Sequence, residues 1–460
     1  MYYKLKNNFA LREYTDGHFI ANLITGDSTR VSPIVFQFAS FCDGITNLES
    51  PYVLPIHRNI IDTLLACKLV EPCEKGDRLK LEQKYKYFDN EYTHLAHWSI
   101  TGKCNFKCRH CYLSAPNAKY GELSTKECLR IIDELAECGI MKVSLTGGEP
   151  LIRQDFLQLL DAFKSKNIIV DYIYSNGALI NEKLLDELEK RNMKPSFSIS
   201  YDGVGWHDWL RGIEGAEKMA IRAFDLLHKR GFYIDVEMCI HKLNKDVLEQ
   251  SINLLANHGV ESVKTNPVGN SGDWIKENKK YDLTREELFD LYLDYIPKYL
   301  RAGSPLALHL GGFFYCKKGT TNYCIPSEKF DGTENSLNNK TCEHAKNHMY
   351  ICPNGQLLPC MSLGGLESNL PETYIQSAPL KELLKSSNYL SLVNSTVKDF
   401  CQRNAECNKC PYKLRCGGGC RASALLTDND YFGCDRACCD IFKKGYIEKI
   451  KERANAAMKC

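Results

Sequence analysis

The placement of cysteine constrains this chain more than any other feature. Of its 23 cysteines, three precede residue 100, whereas eleven fall between Cys342 and Cys439. Such local density implies local sites. The N-terminal stretch MYYKLKNNFALREYTDGHF has no apolar core of signal-peptide length, and no run approaches the ~18 apolar residues of a membrane span. A cytoplasmic protein is therefore expected, and in a reducing compartment clustered cysteines read as metal binding or catalysis rather than as disulfides. Cys42, Cys67, Cys73, Cys128, Cys138 and Cys239 stand singly in apolar surroundings and read instead as small buried side chains.

At 460 residues, with 44% hydrophobic and 25% charged residues, the chain is globular and long enough for two or three domains. Its formal net charge of +2 gives no general attraction to nucleic acid or to an anionic membrane. Any partner must be recognised locally.

The alternating runs FALREYT and HFIANLIT, split by a DG turn, precede apolar-periodic stretches at PIVFQFASFCDG and PIHRNIIDTLLACKLV, which predicts a hairpin followed by helices over residues 1–88. Between about 92 and 270 strand-like segments (HLAHWSI, MKVSLTG, IIVDYIYSN, KPSFSIS, YIDVEMCI, VESVKTNP) alternate with amphipathic ones such as TKECLRIIDELAECG and NEKLLDELEKRN. Six βα units predict an α/β fold with a parallel, barrel-like sheet, a partial (β/α)6 TIM-like barrel over 89–310. Barrels of this kind carry their reactive groups on loops after the strands, and the loop TGKCNFKCRHCY follows the first one. The Cys-, Asn- and Gly-rich remainder, 311–460, has weak periodicity and no obvious core, so metal is expected to stand in for one.

Cys104, Cys108 and Cys111 form Cys-x3-Cys-x2-Cys. One loop can thus wrap three thiolates around a cubane cluster and leave one iron open to a ligand, as open positions do in catalytic metal sites. By spacing alone a zinc site with His110 as fourth ligand is an alternative. The trio, followed by the aromatic Tyr112 on a loop after a first strand, resembles the radical S-adenosylmethionine (SAM) superfamily. TGGEP supplies Gly147, Gly148, Glu149 and Pro150 where the family binds the methionine amino group of SAM. YSNG supplies Ser175, Asn176 and Gly177, SISYDG supplies Ser198, Ser200 and Asp202, and Arg211 matches a position that helps hold the SAM carboxylate, as a bidentate guanidinium can. The resemblance implies reductive cleavage of SAM to a 5′-deoxyadenosyl radical that abstracts a substrate hydrogen, with an electron donor such as flavodoxin or ferredoxin.

Towards the C-terminus, Cys407, Cys410, Cys416 and Cys420 give Cys-x2-Cys-x5-Cys-x3-Cys, preceded by Cys342 and Gly355-x4-Cys360 and followed by Cys434, Cys438 and Cys439. This is similar to the SPASM extension of radical SAM proteins. The resemblance implies two auxiliary clusters and hence three [4Fe-4S] clusters in all. Cys342, Cys360 and Cys420 would serve the first, with Cys324 preferred over Cys316 and Cys352 as its fourth ligand or none at all. Cys407, Cys410 and Cys416 would serve the second, with Cys439 preferred over Cys438 as the last. Zinc knuckles are the structural alternative.

Two SPASM classes compete: maturases of ribosomally made peptides, and anaerobic sulfatase maturases that make formylglycine. The N-terminal region resembles the winged-helix-like recognition element of peptide maturases, which adds a leader peptide as a strand to an exposed sheet edge. Sulfatase maturases carry an aspartate just after the residue matching Cys360; here Met361 stands there and cannot take a proton. The expected activity is therefore crosslinking of a precursor peptide, with a lean towards thioether formation. A multi-cluster electron carrier is the remaining alternative, and it would have no use for TGGEP, YSNG or an open trio.

Overall fold

The computed structural model describes residues 1–49, 53–115, 119–269 and 274–459. The first unit contains strands β1 (Tyr2–Leu5), β2 (Phe9–Tyr14), β3 (Gly17–Asn22), β4 (Ser28–Val31), β5 (Val70–Cys73) and β6 (Lys86–Phe88), with helices Pro33–Ser40 and Pro55–Ala66 between β4 and β5. Among the described residues β4, β3, β2 and β6 make a four-stranded sheet in that order, and β1 pairs with β5. The Asp16-Gly17 turn joins β2 to β3 in an antiparallel hairpin, Tyr14 opposite Gly17. Ser32 caps the first helix, its hydroxyl accepting from Val35 N, and Pro33 occupies the first turn where no N–H is needed. Leu5, Leu11, Ile20, Phe36, Cys42 and Leu64 bury together as the core of this unit.

The six strands predicted for the barrel form at β7 (Leu95–Thr101), β8 (Lys142–Gly147), β9 (Ile169–Ser175), β10 (Ser196–Ser200), β11 (Ile234–Ile240) and β12 (Ser262–Pro267), all parallel. The sheet then runs beyond them. β13 (Ala307–Leu310) adds in parallel to β12, and β14 (Phe314–Cys316) and β15 (Tyr323–Cys324) continue antiparallel. At the other edge β16 (His348–Ile351), from the cysteine-rich region, pairs in parallel with β7, and β17 (Leu357–Leu358) follows it. The sheet has eleven strands among the described residues and two free ends, so it curls without closing.

Side chains alternate across these strands. Trp98, Val143, Leu145, Ile173, Phe197, Ile199, Val236 and Val263 point outwards into the helix layer, each almost wholly buried. Helix Thr125–Glu137 in that layer starts with a capping box, Ser124 and Glu127 satisfying each other's backbone N–H groups. The inward positions are polar: His97 on β7, Ser144 on β8, Tyr174 on β9, Ser198 and Ser200 on β10, Asp235 and Glu237 on β11, Lys264 and Asn266 on β12, His309 on β13. A filled barrel carries branched apolar side chains there, so this one encloses a polar chamber.

The cysteine-rich region is tied in rather than separate. Besides contributing β16, its last helix, Tyr446–Met458, lies along helix Arg285–Arg301, with Phe289 packed on Tyr446 at 5.1 Å between ring centres. It also has small apolar clusters of its own, one around Val397, Phe400 and Cys401, another around Leu358, Leu363 and Leu425. Metal is thus not its sole source of cohesion. Of the singly placed cysteines, Cys42, Cys128 and Cys138 are buried as expected, but Cys67 is exposed after the end of its helix and Cys73 is half-buried.

The first unit docks on the barrel through few polar contacts. Tyr14 Oη donates to Gly139 O at 2.7 Å, and Lys142 Nζ meets Asp27 Oδ1 at 2.8 Å. Tyr14 is only 3% exposed. Tyr14→Phe strands the Gly139 carbonyl, a loss of about 1–3 kcal/mol. Hydrogen exchange is expected to quicken through residues 1–88 while the barrel strands keep their protection.

Candidate active site

The cysteine loop leaves β7 and is held from below by the segment that leaves β8. Gly148 N donates to Thr101 O and Glu149 N to Lys103 O, both at 2.9 Å. The approach is so close that a Cβ on Gly147 would lie 2.4 Å from Thr101 O and one on Gly148 2.1 Å from Lys103 O. Two glycines are required here because only bare backbone fits. Glu149 is wholly buried; its carboxylate accepts from Ser175 Oγ, Asn176 N and Leu151 N. Burial lifts its pKa to about 7 against those donors. Glu149 therefore knots the second strand end to the third and has no free oxygen aimed at a ligand, and Ser175 is engaged by it. Pro150 is buried and opens the short turn after it.

All three loop sulfurs face N–H donors. Cys104 Sγ receives Phe106 N at 3.4 Å and Asn176 Nδ2 at 4.0 Å, Cys111 Sγ receives Ala115 N at 3.3 Å, and Cys108 Sγ faces Arg211 Nη1 at 3.9 Å. Burial pushes the Cys104 thiol up to about 12, with Cys108, Glu149 and Cys111 adding to the rise. Three half-buried thiols that repel one another's thiolate forms, yet are each supplied with donors, fit a multivalent cationic cluster, which offsets both penalties.

Arg211 is fixed by Asp202, Nε to Oδ2 at 2.6 Å and Nη2 to Oδ1 at 3.1 Å. Burial alone would raise the Asp202 carboxyl, but Arg211 and His207 hold it well below the usual carboxylate range. Cys239, read from sequence as an inert apolar side chain, belongs to this station: its N–H donates to Asp202 Oδ1 at 3.0 Å, and its thiol feels Asp202 and Arg211. His110, Asp202 and Cys239 bring ligand atoms within 4.8 Å of one another. The guanidinium already seated on Asp202 opposes a second cation there. Ser198 is buried, its hydroxyl donating down to Asp235 at 3.0 Å, while Ser200 remains half-open to the chamber. Tyr112 lies against Gly364, where a Cβ would sit 2.8 Å from its ring, and Tyr350 bonds to it, so the first cysteine loop meets the segment after Cys360.

The C-terminal thiols gather in two groups. Cys360 feels Cys420 and Cys342, and Cys420 feels Cys342. Ala345 N donates to Cys342 Sγ at 3.4 Å. Cys324 is exposed on β15, opposite Tyr315, and the thiol acting on it is Cys316, not any of that trio. Cys352 is buried among Tyr350, Leu358 and Leu363. The second group lines one small cavity: Cys407, Cys410, Cys416, Cys438 and Cys439, joined by Cys401. Cys438 bonds to Cys416, which pulls the Cys416 thiol down to about 6. Cys434 Sγ lies 3.6 Å from Cys407 Sγ. Cys438 and Cys439 thus share a wall of the cavity, and Cys401 enters through the helix Val397–Arg403, a placement with no spacing signal in sequence.

Between the barrel and these groups runs a cavity of about 940 Å³, bordered by Ile240, Asn266 and Gly311 on one side and Ser362, Gly364 and Cys420 on the other. Its volume lies in the upper range of ligand pockets.

Residues 98–255 match the family model of the Radical SAM superfamily. They form a radical SAM domain, a fold that binds SAM and a [4Fe-4S] cluster, and the protein is a radical SAM enzyme. The chain is 25% identical to the AdoMet-dependent heme synthase of Methanosarcina barkeri over 368 residues, 76% of this chain and 96% of that protein. It is 32% identical to mycofactocin maturase MftC of Mycolicibacterium smegmatis over 181 residues, 38% of this chain and 45% of that one. Its fold is that of Streptococcus suis SuiB, solved bound to precursor peptide SuiA: TM-score 0.63 at 17% identity, covering 95% of this chain and 99% of that one.

Gly148→Ala forces the Cys104 backbone away from the strand end. SAM cleavage, measured as 5′-deoxyadenosine, is expected to fall about 100-fold, the scale of an ångström misplacement, with the fold intact by circular dichroism.

Proposed function

We propose that this radical SAM enzyme modifies a ribosomally made peptide, removing two hydrogens to join side chains through a thioether or another crosslink. The observation that carries the reading is the extent of the SuiB likeness: 95% coverage leaves too few residues unmatched to omit the first unit. The partial similarity to mycofactocin maturase points the same way. In the first unit β4 and β6 each have a strand partner on one side only among the described residues, which suits capture of a leader peptide as an added strand.

In this reading Cys104, Cys108 and Cys111 hold the cluster, with SAM against Gly147, Gly148, Asn176, Ser200 and Arg211. Bound there, SAM and cluster together supply hydrogen-atom abstraction. The residues of the chain orient that chemistry: Asp202 aims the Arg211 guanidinium, and the chamber walls keep the substrate beside it. Cys342, Cys360 and Cys420 hold one auxiliary cluster and the cavity thiols around Cys407 and Cys416 a second, fed by a flavodoxin- or ferredoxin-type donor. Met361 speaks against formylglycine formation, because no proton acceptor stands after Cys360.

Tandem mass spectrometry of a short peptide encoded beside the gene, co-expressed anaerobically and then alkylated, tests the reading. Loss of two hydrogens is expected, with one cysteine no longer alkylated if the bond is a thioether. The same co-expression with Cys104→Ala is expected to return the peptide unchanged. An unmodified peptide with the native enzyme, while SAM is still cleaved, would reject a peptide substrate and favour one of the tetrapyrrole kind suggested by the heme synthase similarity.

A further inference from the structure

We propose that Glu237 is the group that takes up the proton released when the two peptide side chains are joined. The proposal rests on the peptide-crosslinking reading above. Joining two side chains removes two hydrogens. One leaves as an atom, taken by the SAM-derived group. The other must leave as a proton when the new bond forms, its electron passing to a one-electron acceptor of the iron–sulfur class. The proton needs a base inside the chamber, and the position after Cys360 offers only Met361.

Glu237 stands where such a base is needed. In the sheet it lies opposite Ser200, at the end of the fourth barrel strand, and opposite Lys264 on its other side. Two residues on, Cys239 meets the Asp202 and Arg211 station beside Cys108. Lys264, at 3.2 Å from Glu237, also feels Cys420 of the first auxiliary trio. Glu237 thus lies between the cysteine loop and that trio. Its second oxygen accepts from Asn266 Nδ2 at 3.0 Å, and Asn266 borders the large cavity. Although they point into the centre of the barrel, Glu237 and Lys264 side chains are 31% and 39% exposed, because they face open space rather than packed neighbours.

The other titratable groups of the chamber are poorer bases. Asp202 is held in its charged form by Arg211. Burial lowers His97 to about 3 and His309 to about 4. Lys264 would be lowered by burial, but Glu237, with Asp235 and Cys420 adding, more than offsets this and keeps it protonated. Asp235 accepts the Ser198 hydroxyl one pleat further from the strand end. Set inside the barrel, Glu237 is itself raised from its ordinary carboxyl value by desolvation, with Lys264 opposing and Asp235 adding. The groups facing it are Tyr174 from β9, Ser200 from β10, Asp235 on its own strand, and Lys264 and Asn266 from β12. A raised carboxyl is a stronger proton acceptor once ionised, so product formation should climb with pH through its titration.

The test uses the full holoenzyme and a precursor peptide made in deuterated medium. In Glu237→Gln, deuterium transfer into 5′-deoxyadenosine should stay within about two-fold of native while crosslinked peptide falls at least ~100-fold, the low end of a proton-transfer contribution. The rising limb of the pH profile should vanish, and peptide affinity by fluorescence anisotropy should hold. Glu237→Asp should restore part of the product and the limb, and carries the test if the Gln variant misfolds. Parallel loss of deuterium transfer and product, or weakened peptide binding of the same size, would overturn the proposal by making Glu237 a binding or positioning residue; unchanged product would overturn it outright. If the native enzyme transfers deuterium but yields no peptide lacking two hydrogens, the crosslinking reading fails, and this proposal with it.

Discussion

The site depends on one backbone contact. Gly148 and Glu149 hydrogen-bond to carbonyls of the cysteine loop across a gap that admits no side chain, and the buried Glu149 carboxylate then fastens this junction to Ser175 and Asn176. Three successive strand ends are thereby locked at one height. The Asp202 and Arg211 pair does the same from the fourth, reaching Cys108. A loop of closely spaced thiols would otherwise be driven apart as they ionise. The strand ends hold it together, and donors to each sulfur make the thiolate form acceptable.

Below this junction the barrel departs from the usual packed interior. Its outer faces carry the apolar side chains that meet the helices, whereas the inner faces carry carboxylates, a lysine, histidines and hydroxyls. The sheet is unclosed, and the large cavity lies where the loops after β13 and β15 meet the cysteine-rich region. The last helix, packed on Arg285–Arg301, and β16, paired with β7, bring that region over the opening. Cys420 and Cys438 thus border the same cavity as Asn266 and Gly311 of the barrel.

Much of this was legible in the chain. The six parallel strands, the hairpin at Asp16-Gly17, and the glycine pair and cysteine trio at successive strand ends follow from alternation, turn chemistry and spacing. The polar chamber was legible too, in principle: IDVEMCI and SFSIS alternate strictly, where a strand buried on both faces would run apolar throughout. Reading them simply as parallel strands passed over Glu237. Cys239 was misread for the same reason, since a lone cysteine in an apolar run looks inert until its neighbours are known.

What the sequence by itself determined is local: which segments become strands and helices, and which loops carry thiols and bare backbone, because those properties depend on neighbours a few residues apart. Tertiary structure alone decided that β16 crosses back to β7, that Cys401 and Cys434 join thiols from other segments, that Cys324 lies on an exposed edge beside Cys316, and that Lys264, paired with Glu237, comes within the influence of Cys420. These pairings join residues up to hundreds of positions apart. They are set by how helices and sheet share one core, a condition that no local pattern encodes.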